Sequence, residues 1–194
     1  MEIVLTNLTP AQLEKVSGLS TTLQRVWRRR GEIPARTSSQ ASFSARDAAA
    51  ISVGVALNRY GISPAEAMDI GKRHAAIALR CALERGGACE VTGPREIVKQ
   101  FVALFNGDEL SFLAELAGQQ DTDLRRLLYS LDGEAPRLED FVFTEIEELP
   151  SVSGYFVNLQ AIGLRLLTVA GGPLFKIRLV PQDVNKLDFI KNVV

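Results

Sequence analysis

The feature that most constrains this 194-residue chain is a run of four helices between residues 8 and 87, because each predicted helix has its own start and stop signal. The starts are hydroxyl residues that can cap free amide groups at a helix N-terminus. They are Thr9, Ser20 or Thr21, Ser44 and Ser63. The stops are glycines, which favour the left-handed conformation that closes a helix. They are Gly18, Gly31, Gly61 and Gly86-Gly87.

The first two predicted helices are separated only by residues 18–20, which is the tight connection of a helix-turn-helix. The second helix is strongly basic, with no acidic residue among its arginines Arg25, Arg28, Arg29 and Arg30. A short basic helix presented by a turn is typical of proteins that enter the major groove of DNA. The Ser-rich segment 32–43 has the length of a small β-hairpin, or wing, beside this helix.

The predicted DNA-contacting residues lie on the second helix and in the segment after it. A glutamine can pair with adenine and an arginine with guanine, and hydroxyls at a helix start suit phosphate. The candidates are Thr21, Thr22, Gln24, Arg25, Arg28, Arg29, Arg36, Ser38, Ser39 and Gln40. Leu23, Val26 and Trp27 are predicted to be core. The alternatives are a solvated helix face for the arginines and a plain connector for the loop.

Charge is distributed unevenly along the chain. Residues 1–85 contain 12 Lys and Arg against 7 Asp and Glu, a net charge of +5, and residues 86–194 contain 10 against 16, a net charge of −6. This asymmetry favours a nucleic-acid-binding front and an acidic back half with another role, although chance variation in composition would produce it too.

The fold class predicted from these signals is a mainly α, winged helix-turn-helix domain over residues 1–87, followed by an α+β domain over residues 90–194. The second part is predicted to contain helices after Gly93-Pro94 and over 110–117 and 124–131. Strand-like segments rich in β-forming residues follow at 141–143, 155–157, 162–169 and 174–180, with a hairpin turn at 170–173. We expect this domain to dimerise, to sense a small-molecule effector or to bind a protein.

The fourth predicted helix carries two apolar rows, which is more apolar surface than one neighbour covers. A partner subunit would supply the second contact. We therefore expect a homodimer, with Ile77 and Leu79 in the core or at the interface.

The residues give no indication of catalysis, of a metal or of a cofactor. His74 and Cys81 lie two helical turns, about 10 Å, apart, too far for one zinc ion, so core burial is predicted for both. Even with Cys89, two cysteines and one histidine supply only three of the four ligands of a structural zinc site. The acidic clusters 139–140 and 145–148 lack a nucleophile or a phosphate loop and are predicted to be solvated.

Without a signal peptide, a disulfide framework or an apolar run of about 18 residues, the chain is expected to be cytoplasmic and to have no membrane partner.

The order of the N-terminal signals resembles the start of MerR-family regulators, which have a Val-Ser turn, an Arg-aromatic-aromatic recognition helix and an Arg-x-Gly-Leu-hydrophobic-Pro exit. The corresponding residues are Gly18-Leu19-Ser20, Arg25, Trp27, Arg29, Gly31 and Ile33-Pro34. Two later segments are similar to the openings of the family's next helices: Phe43-Ser44-Ala45-Arg46-Asp47 and Gly61-Ile62-Ser63-Pro64-Ala65-Glu66-Ala67. Over residues 8–70, the resemblance implies a winged-helix DNA-binding domain, dimerisation through a later helix and an effector-sensing C-terminal part.

The chain departs from that pattern at Leu23-Gln24, at Val26 and after Gly86, where no long dimerisation helix follows. The family's effector chemistry is therefore not transferred. Three functions fit the residues: a dimeric DNA-binding transcriptional regulator, a phage or mobile-element DNA-binding accessory protein of the excisionase or small-terminase kind, and a protein-interaction module that does not bind DNA.

Overall fold

The computed structural model describes residues 1–35, 42–105, 113–114, 116–119, 125–140 and 153–180, and within them it is an α+β fold. The helices are α1 (Pro10–Ser17), α2 (Thr21–Arg29), α3 (Ala45–Asn58), α4 (Pro64–Leu83), α5 (Arg95–Phe105) and α6 (Leu159–Ala170). The strands are β1 (Glu2–Leu5), β2 (Asn7–Leu8), β3 (Phe43–Ser44), β4 (Cys89–Thr92), β5 (Leu127–Leu131), β6 (Arg137–Glu139), β7 (Gly154–Asn158) and β8 (Phe175–Arg178).

The N-terminal helices begin at the caps that the sequence predicts. The Thr9 hydroxyl accepts a hydrogen bond from the Gln12 amide at 3.2 Å, and Gln12 Oε1 accepts one from the Thr9 amide at 2.9 Å. Ser44 and Asp47 form the same reciprocal box at α3, and Ser63 caps α4. Each cap satisfies amide groups that a helix start otherwise leaves without partners.

Helix α4 lies between α3 and α6, and both contacts bring backbones close together. A Cβ atom on Gly71 of α4 would lie 2.3 Å from the Ala50 carbonyl oxygen of α3, and one on Gly163 of α6 would lie 2.2 Å from the Ala78 carbonyl oxygen of α4. Ile77 and Leu79 are buried among these helices. The two apolar rows of α4 are thus covered within one chain, so they no longer indicate a subunit interface.

The first and last described strands lie in one sheet of order β1-β8-β4, where β8 is antiparallel to β1 and parallel to β4. A second sheet has the order β6-β5-β7, and β2 pairs with β3. Ile177 of β8 belongs to the same continuous hydrophobic core as Leu13 of α1 and Leu79 of α4. Residues on both sides of the boundary predicted at 87–90 therefore share one core.

Two predictions of local structure in the C-terminal half are wrong. Segment 162–169, predicted as a strand, lies in α6, which Asn158 caps by accepting a hydrogen bond from the Ala161 amide at 2.9 Å. The predicted hairpin turn at 170–173 is the end of that helix, where Gly171 has a φ of 69°. Segment 127–131, predicted as helical, is β5. The predicted strands at 155–157 and 174–180 are confirmed as β7 and β8, and segment 141–143 lies outside the described residues.

Helix α5 begins after Gly93-Pro94, as predicted, and buries Ile97 and Phe101 while an exposed ion pair joins Glu96 to Lys99. Residues 113–114 and 116–117 are helical, which agrees with the segment predicted at 110–117. Of the helices that the structure describes, none combines the length and apolar character that crossing a bilayer requires.

Candidate nucleic-acid interface

Helix α2 is fixed by an inward face made of one glutamine and one tryptophan. Gln24 is only 1% exposed, and its Nε2 donates hydrogen bonds to the carbonyl oxygens of Pro10 and Leu19, both at 2.9 Å. Trp27 is buried one turn further on, as predicted. The prediction that Gln24 contacts a base is therefore wrong in this structure, because both amide hydrogens are engaged with the α1 start and the α1–α2 turn.

The outward face of α2 carries Thr22, Arg25 and Arg29, at positions i, i+3 and i+7 of one helix surface. All three residues are exposed, as are Thr21 and Arg30. This face forms an open depression of about 740 Å³, which Val26 and Arg28 also line. Arg29, rather than Gln24, therefore shares the accessible surface with Arg25.

Arg28 lies at the edge of this face and has a different environment. Its Nε donates a hydrogen bond to the Pro34 carbonyl oxygen at 3.1 Å, and its guanidinium carbon lies 5.3 Å from the centre of the Phe43 ring. The side chain is half-buried and links α2 to both described ends of the segment 32–43. Such contacts hold Pro34 and Phe43 beside α2.

Side chains engage two of the amide groups at the start of α2. The Thr21 amide donates to Glu14 Oε2 at 3.2 Å, and the Leu23 amide donates to the Ser20 hydroxyl at 3.3 Å. The exposed hydroxyls of Thr21 and Thr22 remain on the surface. A phosphate at this helix start would therefore meet hydroxyls and arginines more readily than backbone amides.

The exposed arginines of α2 give this surface a positive charge. Among the described residues, no carboxylate lies within ion-pair distance of Arg25, Arg29 or Arg30. Leu23, predicted to be core, is 48% exposed beside them, and Val26 is half-buried. The remaining predicted contacts, Arg36, Ser38, Ser39 and Gln40, lie outside the described residues.

Two distant arginines hold the end of α1, and neither could be identified from the sequence pattern. Arg59, after α3, donates from Nη2 to the Ser17 carbonyl oxygen at 3.2 Å. Arg165 of α6 donates from Nη1 to the Val16 carbonyl oxygen at 3.3 Å. The last carbonyls of a helix lack internal partners and carry partial negative charge, so both cations stabilise this terminus. The turn that presents α2 is thus held by α3 and α6.

The cysteines and the histidine do not form a second site of the kind that metal or thiol chemistry needs. Burial raises the pKa of Cys81 to about 11, and that of Cys89 also to about 11, so both remain protonated near neutral pH. Cys81 is buried as predicted, whereas His74 is only half-buried. Within the described ranges, no three His, Cys, Asp or Glu side chains converge as metal ligands would.

The acidic clusters 139–140 and 145–148, predicted to be solvated, agree with the structure only in part. Asp140 accepts a hydrogen bond from the Arg126 amide at 2.7 Å, at the start of β5, and Glu139 is half-buried in β6. Segment 145–148 lies outside the described residues. Asp140 is thus exposed, as predicted, whereas Glu139 is partly shielded from solvent.

The candidate site is therefore the basic surface of α2. A buried glutamine and two arginine contacts fix this short helix, and Arg25, Arg29 and Arg30 are exposed on it. A polyanion is the ligand that such an unpaired basic face suits. No protein-family model matches the sequence, and no curated protein matches it.

Proposed function

We propose that this chain binds double-stranded DNA through α2 and acts as a transcriptional regulator. The observation that carries the proposal is the exposed face of Thr22, Arg25 and Arg29 on a helix whose opposite face is locked by Gln24 and Trp27. Base recognition needs side chains held in a fixed orientation, since a bidentate hydrogen bond tolerates little rotation of the helix.

The β2–β3 pairing supports a MerR-like, winged arrangement of this region. Leu8 lies opposite Phe43, and Asn7 lies opposite Ser44, so the chain entering α1 pairs with the chain leaving the segment 32–43. Arg28 contacts both Pro34 and Phe43 at the base of that segment. On this proposal Arg36, Ser38, Ser39 and Gln40, which lie outside the described residues, contact the DNA backbone.

The structure changes the assignment of roles within the proposed interface. Arg25 and Arg29 occupy the centre of the exposed face and are the proposed base-contacting residues, because arginine pairs with guanine through two hydrogen bonds. Thr21, Thr22 and Arg30 are proposed to contact phosphates. Arg28 is proposed to hold Pro34 and Phe43 beside α2, and Gln24 to fix the α1–α2 turn.

A homodimer remains part of the proposal for a geometric reason. Helix α2 has nine residues, so one copy spans only a few base pairs. Two copies on half-sites about one helical turn apart would provide the specificity that a regulator requires. A monomer that retains tight, sequence-specific binding in light-scattering measurements would instead favour the mobile-element accessory protein.

The proposal is tested by the salt dependence of DNA binding. We expect the full chain to bind a labelled duplex, with log affinity falling linearly against log salt by roughly 0.9 for each phosphate contact. Fluorescence anisotropy at several salt concentrations measures this slope. The full chain is required because α6 and β8 belong to the same core as the N-terminal helices. No binding, or a flat salt response, would favour the protein-interaction module.

Variants of α2 separate base recognition from support of the helix. We expect Arg25→Ala and Arg29→Ala each to weaken binding to a selected site by about 1–3 kcal/mol and to relax its base preference. Gln24→Ala should weaken binding to all sequences alike and lower the stability of the fold, since it removes two hydrogen bonds that join α2 to the start of α1 and to the α1–α2 turn. Arg95→Ala, which removes an exposed arginine on α5, is the control and should change neither DNA binding nor the stability of the fold. A change of base preference in Gln24→Ala alone would overturn the assigned face.

A further inference from the structure

A cavity of about 630 Å³ lies between the first turns of α4 and the loop that follows β5. Its volume falls in the range of sites for small organic ligands. Residues from three parts of the chain line it: Tyr60, Glu66, Ile70, Arg73, Ser130 and Tyr155. None of these residues belongs to the exposed face of α2, so the cavity is separate from the proposed DNA interface.

One stripe of α4 supplies an acid, an apolar group and a base to this cavity. Glu66, Ile70 and Arg73 follow at i, i+4 and i+7, which spans about 10 Å of helix axis. At α1 and α3 the third helical residue closes a reciprocal capping box. At α4, the described cap contact is the Ser63 hydroxyl alone, and the Glu66 side chain lines the cavity instead.

The opposite wall carries two aromatic rings and one carboxylate, those of Tyr60, Tyr155 and Glu134. The rings of Tyr60 and Tyr155 stack with centroids 5.2 Å apart and planes at 24°. Tyr60 is 56% exposed, so its ring has free surface for a planar ligand. The nearby carboxylate of Glu134 is paired with Arg137 at 2.9 Å. Among the described residues, the charged lining side chains outside an ion pair are therefore Arg73 and Glu66, with the imidazole of His74 beside Arg73.

We propose that this cavity binds a small aromatic carboxylic acid that carries a hydrogen-bond donor at the far end of its ring. The carboxylate pairs with the Arg73 guanidinium, and the ring lies against Ile70 and Tyr60. The donor at the other end bonds the Glu66 carboxylate. Charged hydrogen bonds at both ends fix the ligand's direction, and the aromatic wall covers its middle.

The cavity adjoins the contact that holds the α1–α2 turn. Tyr60 follows Arg59, whose guanidinium bonds the Ser17 carbonyl oxygen and packs against Gly18. A ligand seated on Tyr60 is expected to shift Arg59 and with it the presentation of α2. This second step rests on the proposed DNA-binding function, whereas ligand binding itself does not.

Calorimetric titration of the full chain with 4-hydroxybenzoate tests the site. We expect saturable binding that Arg73→Ala and Tyr60→Ala each weaken by about tenfold or more. Both positions are exposed, so the variants should fold. Lys72→Ala, an exposed neighbour on α4 outside the lining, is the matched control and should bind like the original chain. No saturable binding, unchanged affinity in Arg73→Ala, or equally tight binding of p-cresol or benzylamine would overturn the proposal.

The expected coupling between ligand binding in the cavity and the position of α2 is tested by a separate measurement. Trp27, the single tryptophan of the chain, is buried in α2, so its fluorescence reports on that helix without DNA. We expect saturating 4-hydroxybenzoate to change the Trp27 emission and the DNA affinity together. Ligand binding that leaves both unchanged would overturn the coupling, and a changed emission in a chain that binds no DNA would overturn only the DNA-binding function.

Discussion

Replacing Gly163 by valine is expected to lower the free energy of unfolding by about 3 kcal/mol or more. A Cβ atom at this position would lie 2.2 Å from the Ala78 carbonyl oxygen and 2.9 Å from the Ala82 nitrogen, so α6 could not remain against α4. Overpacking a close contact typically costs about 1–3 kcal/mol, and here the obstacle is backbone that has no rotamer to change. Urea unfolding followed by circular dichroism measures the loss.

Gly172→Val is the control for this variant, because among the described residues no atom beyond its chain neighbours lies within 4 Å of its Cβ position, in the link between α6 and β8. We expect it to unfold nearly like the original chain. If Gly163→Val disrupted only the C-terminal half and left DNA binding intact, residues 1–87 would fold independently. The shared core of α1, α4, α6 and β8 argues against that outcome.

The N-terminal helices could be predicted because their boundaries are set by local chemistry. Thr9 and Gln12, or Ser44 and Asp47, lie three residues apart and satisfy each other's amides without help from the rest of the chain. Gly18 likewise ends α1 with its own left-handed conformation. Such signals are complete within about four residues, so a single sequence displays them.

The architecture that joins the two halves could not be predicted, since it depends on contacts between distant segments. The pairing of Ile3 with Ile177 joins strands of four residues each, too short for a distinct alternating pattern. Helix α6 contains Ile162 and Val169, residues that favour strands. Its packing against α4 through Gly163 outweighs that preference.

The candidate site shows the same division between local and distant information. The basic character of α2 is evident from Arg25, Arg28, Arg29 and Arg30. Which polar side chain of α2 faces the protein interior depends on the hydrogen-bond acceptors that neighbouring segments present to it. Gln24 is buried because Pro10 and Leu19 present carbonyl oxygens to its amide, and a helical pattern alone does not show those oxygens.

Replacing Glu84 by alanine is expected to destabilise the fold by about 3–5 kcal/mol, because it removes a carboxylate partner of a buried arginine. The Arg80 side chain is fully buried; it forms an ion pair with Glu84 and donates from Nε to Gln119 Oε1 at 3.1 Å. Glu84 also lies 3.4 Å from Arg126 Nη2, so one carboxylate serves two cations. Breaking a buried pair by removing one partner costs far more than the pair contributes, since the remaining charge keeps its desolvation penalty.

Glu96→Ala is the matched control for Glu84→Ala. It also removes a helical glutamate from an ion pair, with Lys99 at 3.1 Å, but that pair is exposed and should contribute about 0.5 kcal/mol or less. Replacing both partners, as in Arg80→Met with Glu84→Leu, should regain much of the stability lost in Glu84→Ala, because no buried Arg80 charge then remains. Equal unfolding midpoints for Glu84→Ala and Glu96→Ala would contradict this prediction and show that the Arg80 charge does not depend on Glu84.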